Sequence, residues 1–430
     1  MREMKDSGIE WIGEIPKDWK CCKVKYSTSF VGSGTTPTSS NQDFYDGDIN
    51  WIQSGDLYKT VVVDTVEKKL TEKALKSFSA LHIYQAPFII MAMYGASVGN
   101  TAFSKIDACC NQACCCIKNN EFFNLKFMFY WLDFAQIDFL GRAIGGTQPN
   151  ISQDKIKNQY IVKPSLEEQQ QIADYLDTQC SEIYATAEDI QKEISLLEDY
   201  KKSVITEAVT KGLNPDAEMK DSGVKWIGEI PVNWQAVNPR WLFAQRKDRA
   251  KKGMEQYTAS QKYGVISQKD YMNRIGGSIV TVQKDFDILK MVCEGDFVIH
   301  MRSFQGGLEY SEHTGSISSA YVMLIPKKNT GECRYFKWLF KSASYINALQ
   351  STSNLIRDGQ AMRYSNFIQI IIPYPPLDEQ QQIADFLDTK CSEIDAIIAD
   401  KKRQRDILAD YKKSLIYEYV TGKKEVPINE

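Results

Sequence analysis

The sequence predicts an α+β protein in which two β-rich α/β domains are separated by two long helices forming an antiparallel coiled coil. The whole is a pseudo-two-fold internal repeat. Three observations carry this reading. The chain is written twice: Glu3 to Trp19 returns at Glu218 to Trp234 with 13 of 17 positions identical, and Pro164 to Ile183 returns at Pro375 to Ile394 with 16 of 20 identical. The second repeat continues into a helical heptad pattern. The stretches between the repeats alternate short apolar runs with Gly, Asn, Asp and Ser turns, which is the pattern of strands.

In chain order, residues 1–163 form a first domain with the repeat element 3–19 at its head, and 164–212 form the first long helix. Residues 213–374 form a second domain headed by the element 218–234, 375–422 the second long helix, and 423–430 a tail. In the first helix apolar residues recur at Cys180, Ile183, Ala187, Ile190, Ile194, Leu197, Val204 and Ala208, interrupted at Lys201; steps of three and four make an a/d seam. Ser165 is the expected N-cap, and Gly212 before Pro215 the stop. The second seam holds Leu387, Cys391, Ile394, Ile398, Leu408 and Leu415, with Lys401 and Arg405 where the first has Ile190 and Ile194. About 45 residues at ~1.5 Å each make a rod of roughly 70 Å. The blocks between the repeats look like divergent copies of one fold. Trp51–Leu57 lines up with Val265–Tyr271, Phe88–Met91 with Phe297–His300, and the aromatic helix at Lys126 with that at Lys337, one such helix falling late in each block. The Trp11/Trp19 and Trp226/Trp234 pairs are expected to anchor each block to its rod.

Composition alone is uninformative about function: 430 residues carry 52 Lys+Arg against 55 Asp+Glu, a net of −3. By segment the balance splits. Residues 20–163 are +3 and residues 235–374 are +8, whereas the connector 164–234 is −9. Two basic heads on an acidic rod suggest a bidentate reader of double-stranded DNA, because Lys and Arg neutralise phosphates while polar loops read base edges. No apolar run reaches the ~18 residues a membrane span needs, so a membrane role is not expected. Eleven cysteines, many adjacent, do not form a disulfide framework, which points to a reducing cytoplasm.

No catalytic set emerges. Gly422-Lys423 lacks the upstream glycine of a phosphate loop, and Gly32-Ser33-Gly34 has no third glycine. Pro215-Asp216-Ala217-Glu218-Met219-Lys220 resembles a nuclease carboxylate set, but one short linker cannot converge on a metal. Cys114-Cys115-Cys116 corresponds in the repeat to Tyr321-Val322-Met323, so cysteine acts there as a small hydrophobe rather than a zinc ligand. Neither a metal site nor a cofactor of its own is therefore expected.

The candidates for DNA contact lie in polar loops beside the strands: Ser33, Thr35, Thr36, Gln53, Ser54, Tyr94, Ser97, Gln148 and Asn150 in the first block, and Gln268, Arg302, Ser303, Gln305, Arg357, Gln360 and Arg363 in the second. Arg pairs bidentately with guanine, and Gln or Asn with adenine. A self-contained nuclease or methyltransferase, and a coiled-coil scaffold binding only proteins, are the competing readings.

Gly34-Thr35-Thr36-Pro37 with Gly47-Asp48-Ile49-Asn50-Trp51-Ile52, Thr147-Gln148-Pro149-Asn150-Ile151-Ser152, the paired Leu166-Glu167-Glu168-Gln169 and Leu377-Asp378-Glu379-Gln380, and Trp226-Ile227-Gly228-Glu229-Ile230-Pro231 give the whole chain a resemblance to the DNA specificity subunits of type I restriction-modification systems. The resemblance implies two target-recognition domains held apart by the coiled coil, each reading half of a split, asymmetric site. It also implies a non-catalytic subunit docked by two modification subunits, which use S-adenosylmethionine. Two restriction subunits would add ATP- and Mg-dependent translocation and cleavage. The second block departs from the Gly-x-Thr-Pro pattern.

Overall fold

The computed structural model describes residues 2–58, 60–141, 150–277, 288–328, 330–352 and 362–427. Two compact units result. One runs to Asp189 and resumes at Arg403; the other is Ile190–Lys402. Both boundaries fall inside the long helices, Leu166–Lys211 and Leu377–Val420, so each unit holds a section of both. The predicted cap is present, with the Ser165 hydroxyl accepting from the Glu168 N–H at 3.2 Å. Gly212, at φ +79°, ends the helix in the left-handed conformation that glycine adopts without strain.

Within each unit the helix sections run antiparallel. In the first, Tyr175 packs on Tyr419 with ring centres 4.5 Å apart and Lys412 donates to the Tyr184 hydroxyl at 2.8 Å. In the second, Glu193 pairs with Lys401 at 2.5 Å and Lys201 with Asp395 at 2.6 Å. Partner numbers fall as the first helix rises. The seam residues Cys180, Ile190, Ile194, Ala208, Cys391, Ile394 and Ile398 are buried.

The lysine that interrupts the heptad turns out to be a repeated polar lock. Lys201 and Lys412 occupy equivalent repeat positions. Lys201 reaches Asp395, whereas Lys412 reaches Tyr184 and Asp133, the latter at 3.5 Å. Burial would push the Lys412 ammonium down, but Asp133 and Tyr184 hold it up, at about 12. A raised lysine stabilises fully below its unfolded value near 10.5 and stops doing so as pH rises through 12. Lys412→Met should therefore cost the first unit about 1–3 kcal/mol at neutral pH, since Asp133 loses its cation. The gap from wild type should close between about pH 10.5 and 12 when urea midpoints are compared; a gap independent of pH in that window would show that the ion pair is not responsible.

The first unit is built on a five-stranded sheet in the order Thr28–Ser33, Cys114–Asn119, Phe88–Ala92, Thr101–Ser104, Val62–Val63, with only the last pair parallel. A second sheet joins Cys109–Cys110, Tyr45–Ile52 and Lys69–Leu70. Phe88-Ile89-Ile90-Met91 is apolar throughout because both of its faces are covered. Phe88, Ile90, Ala92, Cys114 and Cys116 pack against Ile52, Tyr84 and Cys110. Ile89, Met91, Cys115 and Ile117 pack on the other side, towards the helix Leu125–Phe134. The cysteines are core residues, as the repeat suggested. Burial pushes the Cys109 thiol up to about 12, with Cys110 adding to the effect, so it packs as a neutral group. Among the described residues no group of three or more His, Cys, Asp or Glu side chains could hold a metal ion.

In the second unit the equivalent sheet is Phe243–Gln245, Val322–Pro326, Phe297–Ile299, Glu309–Tyr310. Two of the sequence expectations need correction here. Phe297, Ile299, Val322 and Leu324 face the helices, while Val298 and Met323 face the other way. Phe297 therefore matches Ile89, not Phe88, and the alignment of those strands was one residue out. A slip of one exchanges the two faces of a strand, and a strand apolar on both faces conceals it from sequence. Each block also has more than one helix: Glu72–Ser77, Gln136–Gly141 and Gln153–Asn158 in the first, and Gln268–Ile275 and Ala343–Ser351 in the second.

The same clamp joins each block to the start of its long helix. Trp19 and Trp234 are buried, and their indole N–H groups donate to Glu168 at 2.9 Å and Glu379 at 2.7 Å. Buried Gln169 accepts from the Asn124 N–H at 2.8 Å and donates to the Pro164 carbonyl. Gln380 does the same with Glu332, at 2.9 Å, and Pro375. Trp11 and Trp226 are partly buried against cores to which the long helices contribute, Leu176 and Val420 in the first unit and Val209 and Leu387 in the second. Trp11 packs on Trp131 and Phe134, and Trp226 on Tyr345 with its N–H donated to Ile371.

Candidate nucleic-acid interface

In the first unit the loops leaving one end of the sheets converge. Thr28–Ser33 ends beside the start of Cys114–Asn119, and Met93 donates to the Ala113 carbonyl as Phe88–Ala92 ends. The next residue, Tyr94, bridges Asn150. Asn111 donates to the Ile52 carbonyl at 3.0 Å, bringing Gln53 and Ser54 to the same end. The loop after Ser33 crosses the neighbouring backbone so closely that a Cβ on Gly34 would lie 1.7 Å from the Cys110 carbonyl oxygen, which explains the glycine. Thr36 then donates to the Gln112 amide oxygen at 2.7 Å.

Thr36, Gln112, Tyr94 and Asn150 are exposed, Thr35 and Ser97 half-buried. Lys68 holds the Gln53 amide oxygen at 2.9 Å, placing a cation in the cluster. Ser33 is held within the sheet, its hydroxyl donating to the Cys114 carbonyl at 2.6 Å. Gln148 lies outside the described residues.

The second unit arranges its loops similarly but with different chemistry. Arg302 and Gln305 are exposed in the turn after Phe297–Ile299. That turn packs on Ala343–Ser351, where Gln350 donates to the Phe304 carbonyl at 2.6 Å. Arg363 is exposed at the head of Tyr364–Phe367, and Asn366 of that helix bonds the Thr352 carbonyl at 3.3 Å. Ser303 is a correction: it is fully buried, and its hydroxyl accepts from the His300 N–H at 2.9 Å, so it shapes the turn. Gln268 keeps its side-chain oxygen buried. Arg357 and Gln360 lie outside the described residues.

Sequence reasoning missed two features. One is Gln112, overshadowed by the adjacent cysteines. The other is Arg246-Lys247-Asp248-Arg249-Ala250-Lys251-Lys252, which follows Phe243–Gln245 where the first unit has Ser33 to Pro37. Arg246 is internal, forked onto Asp296 at 2.7 and 2.9 Å. Lys247, Arg249, Lys251 and Lys252 are exposed. The +8 charge of this block was the available signal, but only the topology places these cations in the equivalent loop.

The sequence family described as type I restriction modification DNA specificity domain matches residues 16–196 and 231–404. The chain belongs to this family. Its two halves are DNA specificity domains of the type I restriction-modification kind, in tandem. Over 169 residues it is 32% identical to the type I restriction enzyme MjaIX specificity subunit of Methanocaldococcus jannaschii, covering 38% of each chain. It is 22% identical to the MjaVIII specificity subunit of the same organism, covering 96% of this chain and 94% of the relative. The EcoR124I/EcoR124II specificity subunit of Escherichia coli is 26% identical, over 45% of this chain and 46% of that one. Thus the chain spans well under half of the first of these relatives and nearly all of the second. A solved chain from work on complex assembly and conformational transition of the type I R-M system shares the fold, with a TM-score of 0.69 at 15% identity, covering 95% of this chain and 99% of that one. Among the described residues no helix is long and apolar enough to cross a membrane.

Proposed function

We propose that the chain is the DNA-reading subunit of a type I restriction-modification complex. The recognition domains, 1–163 and 213–374, each read one half of an asymmetric bipartite site. The paired helices set the spacer and dock two modification subunits, which bring S-adenosylmethionine; two restriction subunits bring ATP- and Mg-dependent cleavage, in the cytoplasm. The chain itself catalyses nothing. One observation carries this reading: on a shared frame, the loop after the first strand is Gly-Thr-Thr-Pro in one unit and a run of exposed cations in the other. Identical readers would select a palindrome, whereas divergent ones select two different half-sites. Methylome sequencing of cells with and without the chain should reveal one split, asymmetric motif that depends on it. A palindromic motif, or nuclease or methyltransferase activity of the chain alone, would overturn the reading.

The cations missed from sequence make a quantitative test. Lys251→Ala with Lys252→Ala should weaken binding to random and specific duplexes alike. The slope of log K against log salt should fall by about 0.9 for each phosphate no longer neutralised. An unchanged slope would place these lysines away from DNA.

A further inference from the structure

Each unit presents, away from the readout loops, a short turn carrying a cation over an exposed aromatic ring. In the first it is Val24–Tyr26, where the Lys25 ammonium lies 5.1 Å from the Tyr26 ring centre. In the second it is Pro239–Trp241, where the Arg240 guanidinium lies 4.8 Å from the Trp241 ring. The rings are 65% and 66% exposed. The turns are equivalent, each following the strand that pairs with the last strand of its block. Both are held rigidly. Val24 is buried and donates to the Gln159 carbonyl at 2.8 Å, while Asn120 donates to the Tyr26 carbonyl. Asn238 accepts from the Arg240 N–H, and Lys327 donates to the Arg240 carbonyl at 2.8 Å.

Neither Lys25 nor Arg240 has a carboxylate partner among the described residues, so the turns present uncompensated positive charge beside large apolar faces. DNA is a poor fit. In the first unit, strand Thr28–Ser33 separates Tyr26 from the readout loop by about 17 Å, and paired bases offer no face on which an exposed ring could stack. Preordered Tyr, Trp and Arg are instead the side chains that dominate protein interfaces. The turns also keep the same chemistry while the readout loops diverge. What the two units share should serve a partner common to both; what differs should serve their half-sites.

We propose that the two turns are docking points for two copies of one protein bearing an acidic face, Lys25 and Tyr26 receiving one copy and Arg240 and Trp241 the other. This rests on the reading above, under which that protein is the modification subunit. The test uses the full chain with co-expressed modification subunit, measuring stoichiometry by native mass spectrometry and binding to random duplex DNA separately. Tyr26→Ala and Trp241→Ala should each weaken uptake of one copy roughly tenfold or more. The double variant should take up neither copy while binding DNA as wild type does. Lys25→Glu with Arg240→Glu should take up neither as well, and wild-type assembly should weaken with salt. Full assembly by either double variant, or loss of DNA binding while assembly persists, would overturn the proposal. A wild-type chain that takes up no modification subunit would overturn the underlying reading as well, and is seen before any variant is made.

Discussion

Replacing Trp234 with alanine should destabilise the second unit by about 3–5 kcal/mol, the cost of emptying a buried tryptophan site. The side chain is fully buried, packs beneath Gly212, and donates to Glu379 at 2.7 Å, so both the cavity and the loss of one of that carboxylate's two donors contribute, Asn233 remaining. Trp19→Ala should do the same to the first unit through Glu168 and Gly422. Trp234→Phe separates the two effects: it keeps most of the volume and loses the donor, for a cost of about 1–3 kcal/mol. Denaturant unfolding followed by probes placed in each unit measures them individually. Equal losses for Trp234→Ala and Trp234→Phe would mean that the hydrogen bond, not the packing, holds the clamp.

The second large effect concerns the spacer. Removing residues 190–196 and 398–404, centred on the Glu193–Lys401 ion pair, deletes one heptad from each helix. Seven residues are nearly two helical turns, so the seam on either side stays aligned. The rod shortens by ~10 Å, or about three base pairs. Methylation of the wild-type motif should disappear, and any new motif should keep both half-sites with a spacer about three base pairs shorter. Removing two residues from each helix instead turns the seam beyond the deletion by about 200°, onto the polar face, and should unpair the helices, a contrast visible by circular dichroism. Retention of the original spacer after the heptad deletion would refute the ruler.

Legibility differed with the physics involved. The long helices could be read because their heptad pattern is local and is sustained from Cys180 to Ala208 in one and from Leu387 to Leu415 in the other. Ser165 and Gly212 marked the first helix's start and stop for the same reason. The strand register at Phe297 could not be read, since a strand apolar on both faces carries no alternation to fix it. Ser303 looked like a loop contact, and only its burial and its bond to His300 show it to be internal. Gln112 escaped notice because nothing local distinguishes an exposed amide from the cysteines around it.

By itself the sequence determined the duplication, the coiled coil, the buried role of the cysteines and the segregation of charge, all of which arise from periodicity or from comparing one half with the other. Tertiary structure alone decided which loops meet at one end of each sheet, that Lys247 to Lys252 stands where the other unit has Gly34 to Pro37, and that Lys201 and Lys412 lock the seam they interrupt. Those facts depend on contacts between residues tens to hundreds of positions apart. Spacing along the chain does not encode such contacts; the packing of strands and helices creates them.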